Sequence, residues 1–193
     1  MRGLTDRDKS IYSFISAYGS ITIDQCSKIF MQGNKRKYEI AARRLKKLVE
    51  CEYLKVGKSY HSSENQYYID NKLRYHDSMV VQYCAELINI GAKNVKLERN
   101  KKWEKQNMIS DGFIYFELKD KGYINLIEVC LTNKDIKLSK YEELFLSNTI
   151  QDEYGIDPKL IVISVVEEID EVSEVIPMSI FDFNFNNIID KVM

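Results

Sequence analysis

Two acidic residues in the middle of the chain have the type and spacing of a metal-binding pair. Asp111 opens the strand-like segment DGFIYFEL, and Glu128 lies near the end of the next one, YINLIEVCLT. Carboxylates on adjacent strands can converge on a divalent cation, and oxygen atoms are the ligands that Mg²⁺ requires. A metal ion held there could activate a water molecule for cleavage of a phosphodiester bond.

The segment around this pair resembles the PD-(D/E)xK nuclease fold, in which a lysine follows the glutamate by two residues. This chain has Cys130 at that position, and Ser110 rather than proline precedes Asp111. A cysteine cannot supply the positive charge that orients water and stabilises the developing anion. The lysines that could reach in from elsewhere are Lys134, Lys137 and Lys140. The alternative is that Asp111 caps a turn and Glu128 is a buried, hydrogen-bonded carboxylate.

A second chemical signal is the basic run NKRKYEIAARRLKKLVE over residues 34–50, in which seven of seventeen residues are Lys or Arg. Apolar residues recur there at helical spacing, at Ala41, Leu45, Leu48 and Val49, and predict a helix from about residue 35 to 51. Its opposite face is basic. Such a face either contacts a polyanion or is simply solvated.

The distribution of charge along the chain favours the polyanion. Residues 1–75 carry 15 Lys/Arg against 8 Asp/Glu, and residues 76–193 carry 13 against 21, although the whole chain has a net charge of −1. Asymmetry of this size indicates that the first part contacts a polyanion and the second does not.

The elements that would position the basic helix follow a recognisable order. Thr5 is expected to cap a first helix that ends at Gly19, and Thr22 or Asp24 to cap a short second one. After the basic helix, the segments YLKVGKSY and NQYYID alternate like two strands. This order predicts a winged helix-turn-helix domain over residues 1–72, with a helix in the major groove and a ribbon on the adjoining backbone.

The predicted DNA-binding residues lie on the third helix and the ribbon, which also carries Tyr60 and His61. Arg36, Lys37 and Arg43 are expected in the groove, where base contacts specify sequence. Phosphate contacts supply salt-sensitive affinity. The remaining predicted binding residues, assigned mainly to phosphates, are Lys35, Arg44, Lys46, Lys47, Lys55 and Lys58.

Residues 73–193 show the order α-β-β-β-α-β and predict a small mixed sheet with helices. The pattern indicates a helix after His76, a strand at residues 95–99 and a polar loop containing Trp103. Two strands joined by a tight turn follow, then a long helix over residues 136–154, a buried strand at 160–166, and a C-terminal extended piece with a helix. The predicted fold class is therefore α+β/α/β.

Taken together, the chain resembles the replication-relaxation family of plasmid and conjugative-element proteins, a winged helix followed by a degenerate nuclease-like domain. The matching segments are LTDRDKSIYSFI, AARRLKKLVECEYL, NQYYID, LRYHDSMVV, SDGFIYFEL, LIEVCLTN and KLSKYEEL, within residues 4–145. The family tends to have a carboxylate where this chain has Cys130. The resemblance implies sequence-specific binding of double-stranded DNA, as an accessory factor in replication or conjugative transfer.

Two other functions stay open at this stage. One is a metal-dependent endonuclease that uses Asp111, Glu128 and Mg²⁺; the other is a winged-helix transcriptional regulator whose acidic domain senses a ligand or holds a dimer. The main interpretation needs no catalytic residue and no cofactor. We expect a homodimer that recruits a relaxase or replication protein. Neither a signal peptide nor a membrane span is apparent in the sequence, so we expect a cytoplasmic protein with reduced cysteines.

Overall fold

The computed structural model describes residues 3–59, 63–131, 136–164 and 172–193. Helices and two sheets alternate along the chain, so the expected mixture of α and β structure is confirmed. In chain order the elements are α1 (Asp6–Tyr18), β1 (Ser20–Thr22), α2 (Ile23–Phe30), α3 (Lys37–Glu50), β2 (Lys55–Lys58), β3 (Asn65–Tyr68), α4 (Tyr75–Asn89), β4 (Lys93–Trp103), β5 (Met108–Leu118), β6 (Lys121–Cys130), α5 (Leu138–Leu146), α6 (Thr149–Tyr154), β7 (Pro158–Ser164), β8 (Met178–Phe181) and α7 (Ile188–Val192).

The chain divides into two compact units, Met1–Asn89 and Ile90–Met193. The first unit thus extends beyond residue 72 and includes α4. Polar contacts join α4 to α2: Lys28 Nζ lies 2.6 Å from Glu86 Oε1, and Gln25 Nε2 donates to the Ser78 carbonyl at 3.3 Å. With these bounds the first unit has 15 Lys/Arg and 10 Asp/Glu, and the second has 13 and 19. The two units still carry opposite net charge.

Local sequence signals explain where the first two helices begin. Thr5 Oγ1 accepts a hydrogen bond from the Asp8 backbone N–H at 3.2 Å, and the Asp8 carboxylate accepts one from the Thr5 N–H at 3.0 Å. Thr22 and Gln25 form the same reciprocal capping box at α2. Each box satisfies backbone donors that a helix N-terminus leaves unpaired. The predictions of both threonine caps are confirmed.

A three-stranded antiparallel sheet completes the first unit, in the order β1-β3-β2. The hairpin of β2 and β3 was predicted from alternation, whereas β1 was missed because three residues are too few to show a period of two. The helices pack on a shared apolar core. Its most buried members are Ile11, Ile15, Ile21, Cys26, Met31, Ala41, Leu45 and Leu48.

The second unit is built on a five-stranded mixed sheet in the order β4-β5-β6-β7-β8. Strands β4, β5 and β6 pair antiparallel, and β6, β7 and β8 pair parallel. Strand β7 lies between β6 and β8 and is nearly all buried, so the buried strand predicted from its apolar run is found. Residues of α5 and α6, including Tyr141, Leu144 and Ile150, share a buried cluster with residues of β5, β6 and β7.

Two predictions for the second unit were wrong. The segment around Trp103 is the end of β4, not a polar loop, and the indole is 6% exposed with its Nε1 donating to Ser110 Oγ at 3.0 Å. The long helix over residues 136–154 is two helices. The break falls at Asn148, whose φ of 53° is left-handed, a conformation that asparagine tolerates better than most residues.

Some expectations concern residues outside the described ranges, namely Tyr60, His61, Lys134 and the last two residues of the strand predicted over 160–166. None of the helices in the described ranges combines the length and the apolar composition that crossing a bilayer demands. The C-terminal extended piece followed by a helix is confirmed as β8 and α7.

Candidate functional sites

Helix α3 separates its apolar and basic residues onto different faces. Ala41, Leu45 and Leu48 are fully buried, whereas Arg36, just before the helix, and Arg43 are exposed. The other predicted binding residues that are exposed in this region are Lys35, Lys46, Lys55 and Lys58. Exposed cations on a helix and on the hairpin that follows it form a surface suited to a polyanion.

Two of the predicted DNA-binding residues have partners within the first unit instead. Arg44 Nη1 lies 3.4 Å from the Oδ2 atom of Asp8, a carboxylate whose side chain is fully buried. Lys37 Nζ donates to Asn89 Oδ1 at 2.9 Å. Lys47 is partly buried, and Lys46 lies 3.7 Å from Glu50 on the same exposed face. The basic run is therefore divided between residues that hold the fold and residues that face solvent.

A hydrogen bond connects α3 with the hairpin. The Tyr38 hydroxyl, near the start of α3, donates to Glu64 Oε1 at 2.8 Å, just before β3. That hydrogen bond is the main cause that raises the pKa of Tyr38 to about 12. A shallow groove of about 400 Å³ lies between α3 and the hairpin, with Ala42, Arg43, Lys46, Val49, Val56 and Tyr67 among its lining. Arg43 and Lys46 on α3 and Val56 on the hairpin thus line one groove.

The acidic pair of the second unit is engaged in internal hydrogen bonds. Asp111 Oδ2 accepts from the Val129 backbone N–H at 2.7 Å, next to Glu128 on β6. Glu128 is buried, and its Oε2 accepts from the Tyr141 hydroxyl at 2.7 Å. Burial and the neighbouring Glu128 carboxylate raise the pKa of Tyr141 far above its ordinary value, so its hydroxyl stays protonated and donates.

Of the two candidate lysines that the structure describes, Lys137 is the one that approaches the acidic pair. Lys137 Nζ lies 3.8 Å from Glu128 Oε1, whereas Lys140 Nζ lies 3.6 Å from Glu143. Burial raises the pKa of the Cys130 thiol to about 11; the Glu128 and Asp111 carboxylates act in the same direction, and Lys137 opposes them. Cys130 is therefore a neutral thiol at physiological pH, and Lys137 brings the positive charge that Cys130 cannot.

A metal ion could bind at this pair only if some of the present contacts of the carboxylates were given up. Across residues 3–59, 63–131, 136–164 and 172–193, no group of three or more metal-ligating side chains is found. A cation at Glu128 would have to compete with the Tyr141 hydroxyl and the Lys137 ammonium. The arrangement as it stands is a hydrogen-bonded network that joins β5, β6 and α5.

Sequence reasoning missed Tyr141. A signal for it was present, because Lys137 and Tyr141 are four residues apart at the start of α5, the spacing that puts two side chains on one helix face. Once Lys137 is considered for Glu128, the tyrosine one turn later is a natural second partner.

No protein-family model, curated protein or solved structure matches the chain. The resemblance to the replication-relaxation family therefore stays a prediction from short motifs. Function rests on the geometry and charge of the two sites.

Proposed function

We propose that the chain binds double-stranded DNA sequence-specifically through its first unit. The order α1-β1-α2-α3-β2-β3 with a β1-β3-β2 sheet supports a winged helix-turn-helix. In such a domain the third helix enters the major groove and the hairpin reaches the adjoining backbone. The observation that carries the proposal is a set of exposed cations: Arg36 just before α3, Arg43 on α3, and Lys55 and Lys58 on β2.

The contacts within the first unit help to assign a role to each basic residue. Arg36 and Arg43 are the candidates for base edges, because arginine can donate two hydrogen bonds to guanine. Lys35, Lys46, Lys55 and Lys58 are the candidates for phosphates. Arg44 contacts the buried carboxylate of Asp8, so it supports the surface rather than forms it, whereas the hydrogen bond of Lys37 to Asn89 is solvent-exposed and leaves Lys37 a candidate for the groove.

The biological setting follows from the resemblance. We propose an accessory factor in replication or conjugative transfer of a plasmid or other mobile element. The second unit would hold a homodimer together or recruit a relaxase or replication protein. Footprinting on the protein's own replicon separates the settings, since protection of an origin, a transfer origin or a promoter would each select a different one.

DNA binding itself is tested by fluorescence anisotropy with a labelled duplex taken from the footprinted region, over a series of salt concentrations. The Arg36→Ala/Arg43→Ala variant should lose at least about 10-fold in affinity, since each good base contact contributes ~1–3 kcal/mol. The control, Lys119→Ala/Lys121→Ala, removes two charges from the β5–β6 turn of the second unit and should bind as wild type. Unchanged affinity of the α3 variant would overturn the assignment.

A second candidate function, a metal-dependent endonuclease, is favoured by one observation. Lys137 lies 3.8 Å from Glu128 and supplies the cation that is missing at Cys130. A bound Mg²⁺ would supply a Lewis acid and an activated water. Asp111 and Glu128 would be the residues that hold it, with Lys137 positioned to stabilise negative charge.

This candidate is tested by incubating supercoiled plasmid with the protein and Mg²⁺ or Mn²⁺. Cleavage that is lost in both Glu128→Gln and Lys137→Ala would support an endonuclease. A wild-type protein that leaves the plasmid intact with both ions would rule it out.

A further inference from the structure

The edge strand β4 is basic although its unit is acidic. Among its eleven residues, KNVKLERNKKW, five are Lys or Arg and one is Glu. The rest of the second unit has 8 Lys/Arg against 18 Asp/Glu. Charge of one sign concentrated on a single strand, against the charge of the unit around it, marks a local site for the opposite charge.

Two open clefts lie along β4, one towards each end. The first, about 730 Å³, is lined by Asn94, Lys96, Glu98, Phe113, Tyr115 and Tyr154, among others. The second, about 640 Å³, has Lys102, Asn107, Ile109, Lys137 and Lys140 in its lining. Both are open on one side, and β4 contributes residues to both. Of the five cations along this strand of ~34 Å, Lys96 lines the first cleft and Lys102 the second.

The first cleft presents aromatic rings beside one cation, Lys96, and two carboxylates, Glu98 and Glu117. Tyr154 is 38% exposed, and its ring lies 5.4 Å from that of the buried Phe113, which supports it from below. Tyr115 is partly exposed, with Lys96 Nζ 5.8 Å from its ring centroid. Its hydroxyl and the Asn94 side-chain amide both donate to the Glu117 carboxylate, at 3.1 and 2.7 Å, which holds the ring in place.

Cations that follow a backbone, interleaved with aromatic rings on which bases stack, are the features of single-strand-binding grooves. A duplex keeps the faces of its bases inside the stack, where Tyr115 and Tyr154 could not reach them. We propose that β4 and its two clefts bind a single strand of nucleic acid. The lysines, chiefly Lys96 and Lys102, contact phosphates, and Tyr115 and Tyr154 stack on bases.

This activity goes beyond the duplex binding proposed for the first unit and uses no residue of α3 or the hairpin. Lysines on an edge strand also have a structural use, since they discourage pairing with a second sheet. That use requires no aromatic cleft and predicts no affinity for an oligonucleotide, so binding measurements separate the two roles.

The test is fluorescence anisotropy of the full chain with labelled oligo-dT and oligo-U of about 20 nucleotides. The wild type should bind at least one of the two oligonucleotides, with an affinity that falls as the salt concentration rises. Preference for oligo-dT would indicate a DNA ligand, and preference for oligo-U an RNA ligand. Lys96→Glu/Lys102→Glu should weaken binding by at least about 10-fold. Tyr154→Ala should weaken it about 10-fold and Tyr154→Phe should restore it, because the ring is what stacks.

The Arg36→Ala/Arg43→Ala variant separates this proposal from the first one. It should lose duplex affinity and keep oligonucleotide affinity, whereas Lys96→Glu/Lys102→Glu should do the reverse. Circular dichroism checks that each variant is folded. A folded wild type that binds neither oligonucleotide, or a folded Lys96→Glu/Lys102→Glu variant that binds as wild type, would overturn the proposal and leave the lysines as edge protection.

Discussion

The basic helix α3 and the acidic pair Asp111/Glu128 were the two places where residue types suggested chemistry. They differ in the structure, because the basic residues are largely exposed whereas the acidic pair is engaged in internal contacts. The cations Arg36, just before α3, and Arg43, on α3, are exposed to solvent. At the acidic pair, the backbone N–H of Val129, the hydroxyl of Tyr141 and the ammonium of Lys137 all approach the carboxylates.

The difference follows from burial. A charge in water needs no protein partner and can exchange its hydration for a ligand, whereas a buried charge is costly unless hydrogen bonds and opposite charge surround it. Glu128 is 8% exposed and is surrounded in this way. Exposed charged residues are therefore the better candidates for ligand binding. For a buried charged residue, a role in stabilising the fold has to be considered first.

The same contrast exists within α3, between adjacent residues. Arg43 is exposed, and Arg44 lies against the fully buried carboxylate of Asp8. Three changes test how far the comparison between engaged and exposed groups holds; the first two have a control variant, and the third is measured at two pH values.

The largest effect is expected for Arg44→Ala. Its removal leaves the buried Asp8 carboxylate without a cationic partner, so the free energy of unfolding should fall by about 3 kcal/mol. Arg43→Ala should change it by no more than about 0.5 kcal/mol, as exposed substitutions usually do. Urea denaturation followed by circular dichroism measures both. Equal effects of the two variants would show that the division of α3 is wrong.

A smaller effect is expected for Tyr141→Phe, which removes the hydroxyl that donates to Glu128. A hydrogen bond to a buried charged group contributes ~2 kcal/mol, so the free energy of unfolding should fall by about that amount. Tyr154→Phe, at an exposed tyrosine, is the control and should leave stability nearly unchanged. If Tyr141→Phe were as stable as wild type, the network at Glu128 would not be structural.

The smallest effect is expected for Tyr38→Phe, at a half-exposed tyrosine of α3. At pH 8 the variant should be less stable by about 0.5 kcal/mol, since it loses one solvent-accessible hydrogen bond to Glu64. The pKa of Tyr38 is raised to about 12 in the folded protein, whereas that of an unfolded tyrosine is ~10. The stability that the hydrogen bond to Glu64 contributes is therefore complete below pH ~10 and is lost as the pH rises towards 12. Denaturation curves at pH 8 and pH 10.5 should therefore show the gap between variant and wild type narrowing; a gap that widens would contradict this cause.

Several features were predictable because their causes are local. The capping boxes at Thr5 and Thr22 involve residues three apart, and the apolar face of α3 repeats within one helix. The break at Asn148 was missed because it depends on a single residue adopting a left-handed conformation, which alters no periodic pattern. Trp103 was placed in a loop because its neighbours are polar, although edge strands commonly carry lysines.

The candidate site was predictable in type and only partly in detail. The run KRK…RRLKK identified the basic surface, and Asp111 with Glu128 identified the acidic pair. The path of the chain from β6 into α5 decides which lysine approaches Glu128. The positions of the three candidate lysines in the sequence contain no information on that path. The basic residues of β4 are visible in the sequence KNVKLERNKKW. A binding role for them could be inferred only after the structure showed the clefts beside the strand.

By itself, the sequence determined the charge asymmetry between the two parts of the chain, the amphipathic character of α3 and most of the succession of helices and strands, because these depend on residue type and short-range spacing. The tertiary structure decided that Arg44 contacts Asp8 while Arg43 stays exposed, that Lys137 rather than Lys140 approaches Glu128, and that α4 belongs with the first unit. Those outcomes depend on contacts between residues as far apart in sequence as Arg44 and Asp8, which are separated by 36 positions. Contacts between residues far apart in sequence are determined by tertiary packing, and a local sequence pattern contains no information on that packing.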